Sequence, residues 1–215
     1  MIISPGRGYI FVHIPKTGGT SLALALEARA KKDDIMLGDT PKARQRRHRV
    51  KGAKTRGRLW KHATLADIDG LIAPQQLAGL FAFTLVRNPW DRAVSYYHWL
   101  RVQAFDHPAV GLAKSLEFER FVTHADTLAA FSATPARHYM TRADGVEQCA
   151  AYIRIEELVA DQAPLAVHLG FKLDPPHQNR SQRDRDYRPY FSDRSAEAIA
   201  TACAEDIARF GYSFG

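Results

Sequence analysis

The sequence predicts an α/β protein with a central, mainly parallel sheet flanked by helices in three layers. Three observations lead there. Short, largely apolar runs of strand length recur along the chain, at Tyr9–Ile14, Leu80–Val86 and Tyr152–Ile155. Each is followed by helix-forming sequence rather than by a hairpin turn, which is the spacing of crossover connections. The runs do not alternate apolar with polar residues, so both faces of the sheet are expected to be covered.

The elements follow in order. Tyr9–Ile14 (YIFVHI) reads as a buried strand. A turn, Pro15-Lys16-Thr17-Gly18-Gly19-Thr20-Ser21, comes next, and Ser21–Lys31 (SLALALEARAK) consists of strong helix formers. Leu59–His62 (LWKH) reads as a short second strand, with Thr64 placed to cap a short helix after it. Leu80–Val86 (LFAFTLV) is the clearest buried strand. It ends at Arg87-Asn88-Pro89, where Asn88 suits the N-cap and Pro89 the first turn of a helix running to about Arg101. Phe118, Phe121 and Val122 sit at helical spacing and are assigned to the core. Tyr152–Ile155 is the next strand, followed by a helix that stops near Gly170. His177–Arg188 is polar, basic and flanked by proline, and reads as a loop. Ser192 caps a last helix ending near Phe210, with Gly211 as its stop and Ile199, Cys203 and Ile207 on one face. No internal repeat is visible.

Composition bounds the class. The 215 residues suit a single domain, 46% hydrophobic and 25% charged, the balance of an ordinary globular protein. No run of 18 apolar residues and no signal-peptide pattern is present, so a cytoplasmic protein is expected. The two cysteines, Cys149 and Cys203, lie far apart without metal-ligand spacing, which fits reduced, buried thiols and no metal site. The net charge of +7 is local. Ten Lys and Arg fall between Lys42 and Lys61 with no Asp or Glu among them, leaving 20 basic and 23 acidic residues elsewhere, a net of −3. A nucleic-acid binder usually carries a basic face across the domain, so nucleic acid is not the expected partner. The segment reads as a basic insertion spanning about residues 40–58. It suits steering of an anionic acceptor or a polyphosphorylated cofactor, or equally a solvated loop with an unstructured centre.

Two places have the chemistry of anion binding. In the first turn, a strand runs through two glycines into a helix N-terminus, where backbone N–H groups and the helix dipole favour negative charge. Lys16 adds a full charge, and Thr17, Thr20 and Ser21 add hydroxyls beside Gly18 and Gly19. The order is wrong for a Walker A loop, because the lysine precedes the glycines, and the dinucleotide fingerprint is absent. In the second place, Arg87 follows a strand and Ser95 lies six residues beyond Pro89 in the ensuing helix, a rise of about 9 Å. A guanidinium laid along that helix meets the hydroxyl at one phosphate. Alternatively Arg87 pairs with Asp91 and Ser95 is an ordinary helix serine.

Taken together, PKTGGTS after an N-terminal strand and VRNPWDRxxSY after a later one resemble the PAPS-dependent sulfotransferases, in particular the carbohydrate-type branch and its bacterial relatives. Ile153–Leu158 (IRIEEL), Asn179-Arg-Ser181, Tyr187–Tyr190 and Asp206–Tyr212 resemble the later parts of that family, while the basic segment and Gln103–Phe118 do not. The resemblance implies a P-loop-like three-layer fold and 3′-phosphoadenosine 5′-phosphosulfate (PAPS) as donor cosubstrate, without a metal. It implies that Lys16, Thr17, Gly18, Gly19, Thr20 and Ser21 hold the 5′-phosphosulfate and that Arg87 and Ser95 hold the 3′-phosphate. It places Asn179 and Ser181 in a tail segment that closes over the nucleotide.

Sulfuryl transfer requires in-line positioning, stabilisation of charge on the leaving phosphate oxygen and removal of the acceptor proton. Lys16 is assigned the leaving group. Histidine titrates in the useful range, and His62, at the end of the expected second strand, is assigned as the base. Some relatives use a histidine from this region and others a glutamate. His13, inside an apolar strand, and His98, beside Trp99 in a helix, read as structural. The acceptor is expected to be a hydroxyl-bearing small molecule or glycan, with a carbohydrate or glycolipid favoured and an anionic one suggested by the basic segment. Two other readings stand beside this one: a nucleoside or small-molecule kinase, and a non-catalytic polyanion- or RNA-binding module built on Lys42–Lys61.

Overall fold

The computed structural model describes residues 1–175, 184 and 186–215. The chain divides into two compact units, one formed by Met1–Val86 with Ala136–Asn179, the other by Arg87–Pro135 with Arg180–Gly215.

The first unit is the sheet. Its strands are β1 (Ile2–Ser4), β2 (Tyr9–Val12), β3 (Ile35–Met36), β4 (Phe81–Val86) and β5 (Ala151–Arg154), in the order β3-β1-β2-β4-β5. β2, β4 and β5 are parallel, with Phe11 opposite Phe83 and Phe83 opposite Ala151. β1 and β3 extend the sheet antiparallel on the other side of β2. Every residue of β2 is buried, and β4 is buried after Phe81, so both faces are covered as the unbroken apolar runs require. Tyr9, Phe11, Phe83, Leu85 and Ile153 on one face form a core with Leu22 and Leu26 of helix α1 (Gly19–Ala28). The Thr84 hydroxyl, the polar intruder in β4, donates to the Val12 carbonyl at 2.8 Å and so costs little to bury.

α1 begins two residues earlier than its composition suggests, because the glycine turn itself enters the helix. The basic segment contains helix α2 (Pro41–Arg46) and a 3-10 turn at Arg47–Val50 where an unstructured centre was one expectation. Its side chains are anchored: Lys42 Nζ donates to the Glu27 carbonyl at 2.7 Å and Arg46 Nη1 to the Lys31 carbonyl at 2.8 Å. Leu59–His62 is not a strand. The ladder positions on either side of β2 are taken by β1 and β4, and the segment instead closes a turn in which Ala63 N donates to the Trp60 carbonyl. Thr64 and Asp67 exchange backbone-to-side-chain bonds in the next turn without starting a helix. The short helix α3 (Pro74–Ala78) precedes β4.

The second unit is helical. α4 (Pro89–Arg101) has the expected bounds. The Asn88 side chain caps it, accepting from the N–H groups of Trp90 and Asp91, while its own amide donates to Tyr187 Oη and the Ser213 carbonyl. α5 (Pro108–Ser115), α6 (Phe118–Val122) and α7 (Ala125–Ala133) follow, with Phe118, Phe121 and Val122 buried. The chain then returns to the first unit with α8 (Ala136–Met140), β5, α9 (Leu158–Asp161) and α10 (Ala163–Leu169), which ends at left-handed Gly170. The last expected helix is two in the structure, α11 (Asp193–Ala202) and α12 (Ala204–Phe210), broken at Cys203. Ser192 caps α11 in a reciprocal capping box with Ser195, and Gly211 ends α12 at φ 68°. Ile199 and Cys203 are buried with Trp90 and Phe121, and burial pushes the Cys203 thiol up to about 12, an inert thiol. Among the described residues, no helix is long and apolar enough to cross a membrane.

Candidate active site

The parallel strands β2, β4 and β5 present their carboxyl ends on one edge of the sheet, where open α/β sheets bind ligands. The PKTGGTS turn leaves β2 there. Lys16 takes φ 66°, the one non-glycine residue with positive φ among those described. A left-handed lysine costs about 1–2 kcal/mol, a strain that functional sites tolerate. The Thr17 hydroxyl donates to the Ile14 carbonyl at 2.9 Å and is buried, so it holds the turn against the strand. Its proton is therefore engaged within the turn, and only its backbone N–H remains as a donor for an anion.

The two glycines are required for different reasons, Gly18 chiefly by its left-handed backbone and Gly19 by packing. Gly18 has φ 82°, and a Cβ on it would sit 2.2 Å from Ile155 Cδ1 just beyond β5. A Cβ on Gly19 would sit 2.2 Å from Cδ2 and 2.5 Å from Nε2 of His13. The missing side chains thus seat the turn on the residues after β2 and β5. The backbone of Gly19, Thr20 and Ser21 forms the first turn of α1, whose N–H groups lack intrahelical partners four residues back. Ser21 N donates instead to the Gly18 carbonyl at 3.1 Å.

Two histidines meet beside this turn. The His13 ring is buried and packs edge-on against the His62 ring at 4.6 Å between centroids. Burial, followed by repulsion from the protonatable neighbours His62, the amino terminus, Lys61 and Lys16, holds His13 well below the ordinary histidine range, so it is neutral. His62 Nδ1 lies 2.7 Å from the His13 carbonyl. A carbonyl only accepts, so neutral His62 carries its proton on Nδ1 and its lone pair on Nε2. Trp60 supports the ring from another side, edge-on at 5.0 Å. His62 therefore sits on a turn rather than at a strand end, yet within packing distance of the residue that leads into the cradle.

The second anion element lies at the start of α4, in the other unit. Arg87 Nε and Nη2 both reach Asp91 Oδ2, each at 2.7 Å, and both side chains are largely shielded. Asp91 and Ser95 are one helical turn apart on α4, with Ser95 buried. The ion pair with Asp91 is thus present, and it lays the guanidinium along the helix. This is the Arg87–Asp91 pairing that the sequence offered as the alternative. His98 packs edge-on against Tyr97 and Tyr190 in the second unit, in keeping with a structural role. Asn179 and Ser181 lie outside the described residues.

The turn after β2 thus gathers a left-handed lysine, a buried neutral histidine and a second histidine whose Nδ1 faces a backbone carbonyl. The profile of the Sulfotransferase family matches residues 1–212, and the chain belongs to that family. Among solved structures, the chain is similar to the mouse sulfotransferase SULT7A1 complexed with PAP, with 16% identity over 94% of this chain and 84% of that one and a TM-score of 0.45. No curated protein matches the chain.

Proposed function

We propose that the protein transfers the sulfuryl group of PAPS to the hydroxyl of a carbohydrate or glycolipid acceptor, with His62 as general base. The observation that supports this reading is the His62–His13 contact beside the glycine turn: with Nδ1 on the His13 carbonyl, a neutral His62 carries its lone pair on Nε2. The acceptor oxygen attacks sulfur as an O–S bond forms. The S–O bond to the 5′-phosphate breaks, and its electron pair stays on the phosphate oxygen of the departing 3′-phosphoadenosine 5′-phosphate (PAP). The hydroxyl proton passes to His62 Nε2 and then to solvent. Lys16 and the first N–H groups of α1 stabilise the charge gathering on the leaving oxygen. Arg87 and Ser95 take the 3′-phosphate, with Asp91 orienting the arginine. The donor's charges suit the residues present: one element offers Lys16 and a helix N-terminus, the other a guanidinium and a hydroxyl.

His62→Ala tests the base. The account predicts a variant that binds PAP as tightly as the wild type and turns over at least about a hundredfold more slowly, the usual worth of a positioned acid–base group. Near-normal turnover would remove His62 from the mechanism.

A further inference from the structure

The basic segment divides by function. Lys42, Arg46 and Arg49 are tied to the fold: Lys42 N donates to Glu27 Oε1, and the Arg46 and Arg49 guanidinium groups reach the Asp34 carbonyl. Arg47, Arg58 and Lys61 are different. They line a cavity of about 360 Å³ together with Asp39, Trp60 and Val50. That volume lies within the ~300–1,000 Å³ of ligand pockets. Its charge is unbalanced, with three cations against one carboxylate. Asp39 accepts from Lys61 Nζ at 3.0 Å and lies 3.8 Å from Arg47 Nη2, while Arg58 sits over the Trp60 ring at 5.5 Å. Trp60 is 42% exposed, high for an indole, and it is also the ring that packs against His62. One wall of the cavity is therefore the side chain that positions the candidate base.

We infer that this cavity is the acceptor site and that it selects an acceptor carrying its own anionic group. The ring face of such a molecule lies on Trp60, and its carboxylate or sulfate ester is held by Arg47 and Arg58, whose planar forks match either group. Lys61, already paired with Asp39, raises the local potential. The inference rests on the sulfotransferase reading for the meaning of "acceptor", but the binding preference stands on the cavity itself.

Two probes that differ at one carbon test it: p-nitrophenyl β-D-glucuronide and p-nitrophenyl β-D-glucoside, titrated calorimetrically into the full chain. The wild type should bind the glucuronide about tenfold more tightly. Arg47→Gln/Arg58→Gln, at two exposed positions, should bind both probes alike, and Trp60→Ala should weaken both. Equal affinity of the wild type for the two probes, binding of neither, or a preference retained in the double variant would overturn the assignment. Stabilisation of each protein by PAP is measured in parallel. A wild type that PAP stabilises but that ignores the carboxylate refutes the acceptor site alone. A wild type that prefers the glucuronide but does not respond to PAP refutes the donor reading alone.

Discussion

Gly19 offers the sharpest single substitution. Its absent side chain is filled by the His13 ring, with two ring atoms within 2.5 Å of where a Cβ would stand. His13 has little room to yield: it is buried, and its ring also packs on Phe11 and on His62. Gly19→Ala therefore overpacks a closed site, which costs about 1–3 kcal/mol. At about 2 kcal/mol the melting temperature of a chain this size falls by roughly 4–8 °C. Gly18→Ala is a different lesion. There the neighbour is the flexible end of Ile155, so the cost is chiefly the left-handed backbone at φ 82°, about 1–2 kcal/mol. A second substitution separates the two. His13→Ala vacates the ring and should recover most of the loss in the Gly19→Ala background, while leaving Gly18→Ala as unstable as before. Urea unfolding of the single and double variants reads this directly, since coupling appears as non-additivity. Additive effects of Gly19→Ala and His13→Ala, or a Gly19→Ala protein within about 0.5 kcal/mol of wild type, would refute the claim that packing on His13 requires this glycine.

Lys16 separates strain from chemistry. Lys16→Ala should keep the fold's stability and lose at least about a hundredfold in turnover, the scale of one donor to a developing anion. Lys16→Gly should lose as much turnover yet unfold at higher temperature, because glycine removes the left-handed penalty at φ 66°. Equal melting temperatures for the two would contradict the strain. Asp91→Asn loosens the Arg87 clamp and should weaken PAP binding about five- to tenfold, with little change for AMP, which lacks the 3′-phosphate. An unchanged PAP-to-AMP affinity ratio would remove Asp91 as the positioning residue.

The central strands were legible because they are buried on both faces, and burial on both faces leaves an unbroken apolar run. The α4 boundary was legible because Asn88 and Pro89 fix a helix start by their own chemistry. What was not legible depends on partners distant in sequence. β1 and β3 are three and two residues long; β1 exists because β2 offers an edge, and β3 because β1 then offers the next one. The β2 edge, once filled, leaves Leu59–His62 as a turn. The final helix breaks at Cys203, where no proline or glycine marks the chain. At the site, the residue types of both anion elements could be read from their order, but the roles of the glycines could not. Their tightest neighbours, His13 and Ile155, follow two strands that the sheet sets on either side of β4. The Nδ1 proton of His62 was likewise invisible, since a backbone carbonyl 49 positions away sets it.

The most direct test of the whole account is a thermal titration with PAP against ATP and magnesium. At a hundredfold excess over its dissociation constant, PAP should stabilise the fold by about 2.7 kcal/mol. That is a rise of roughly 5–10 °C for a chain of this length. ATP with magnesium should move the transition little. No response to PAP, or an equal response to ATP with magnesium, would contradict the assignment of the two anion elements to the two ends of one phosphosulfate nucleotide.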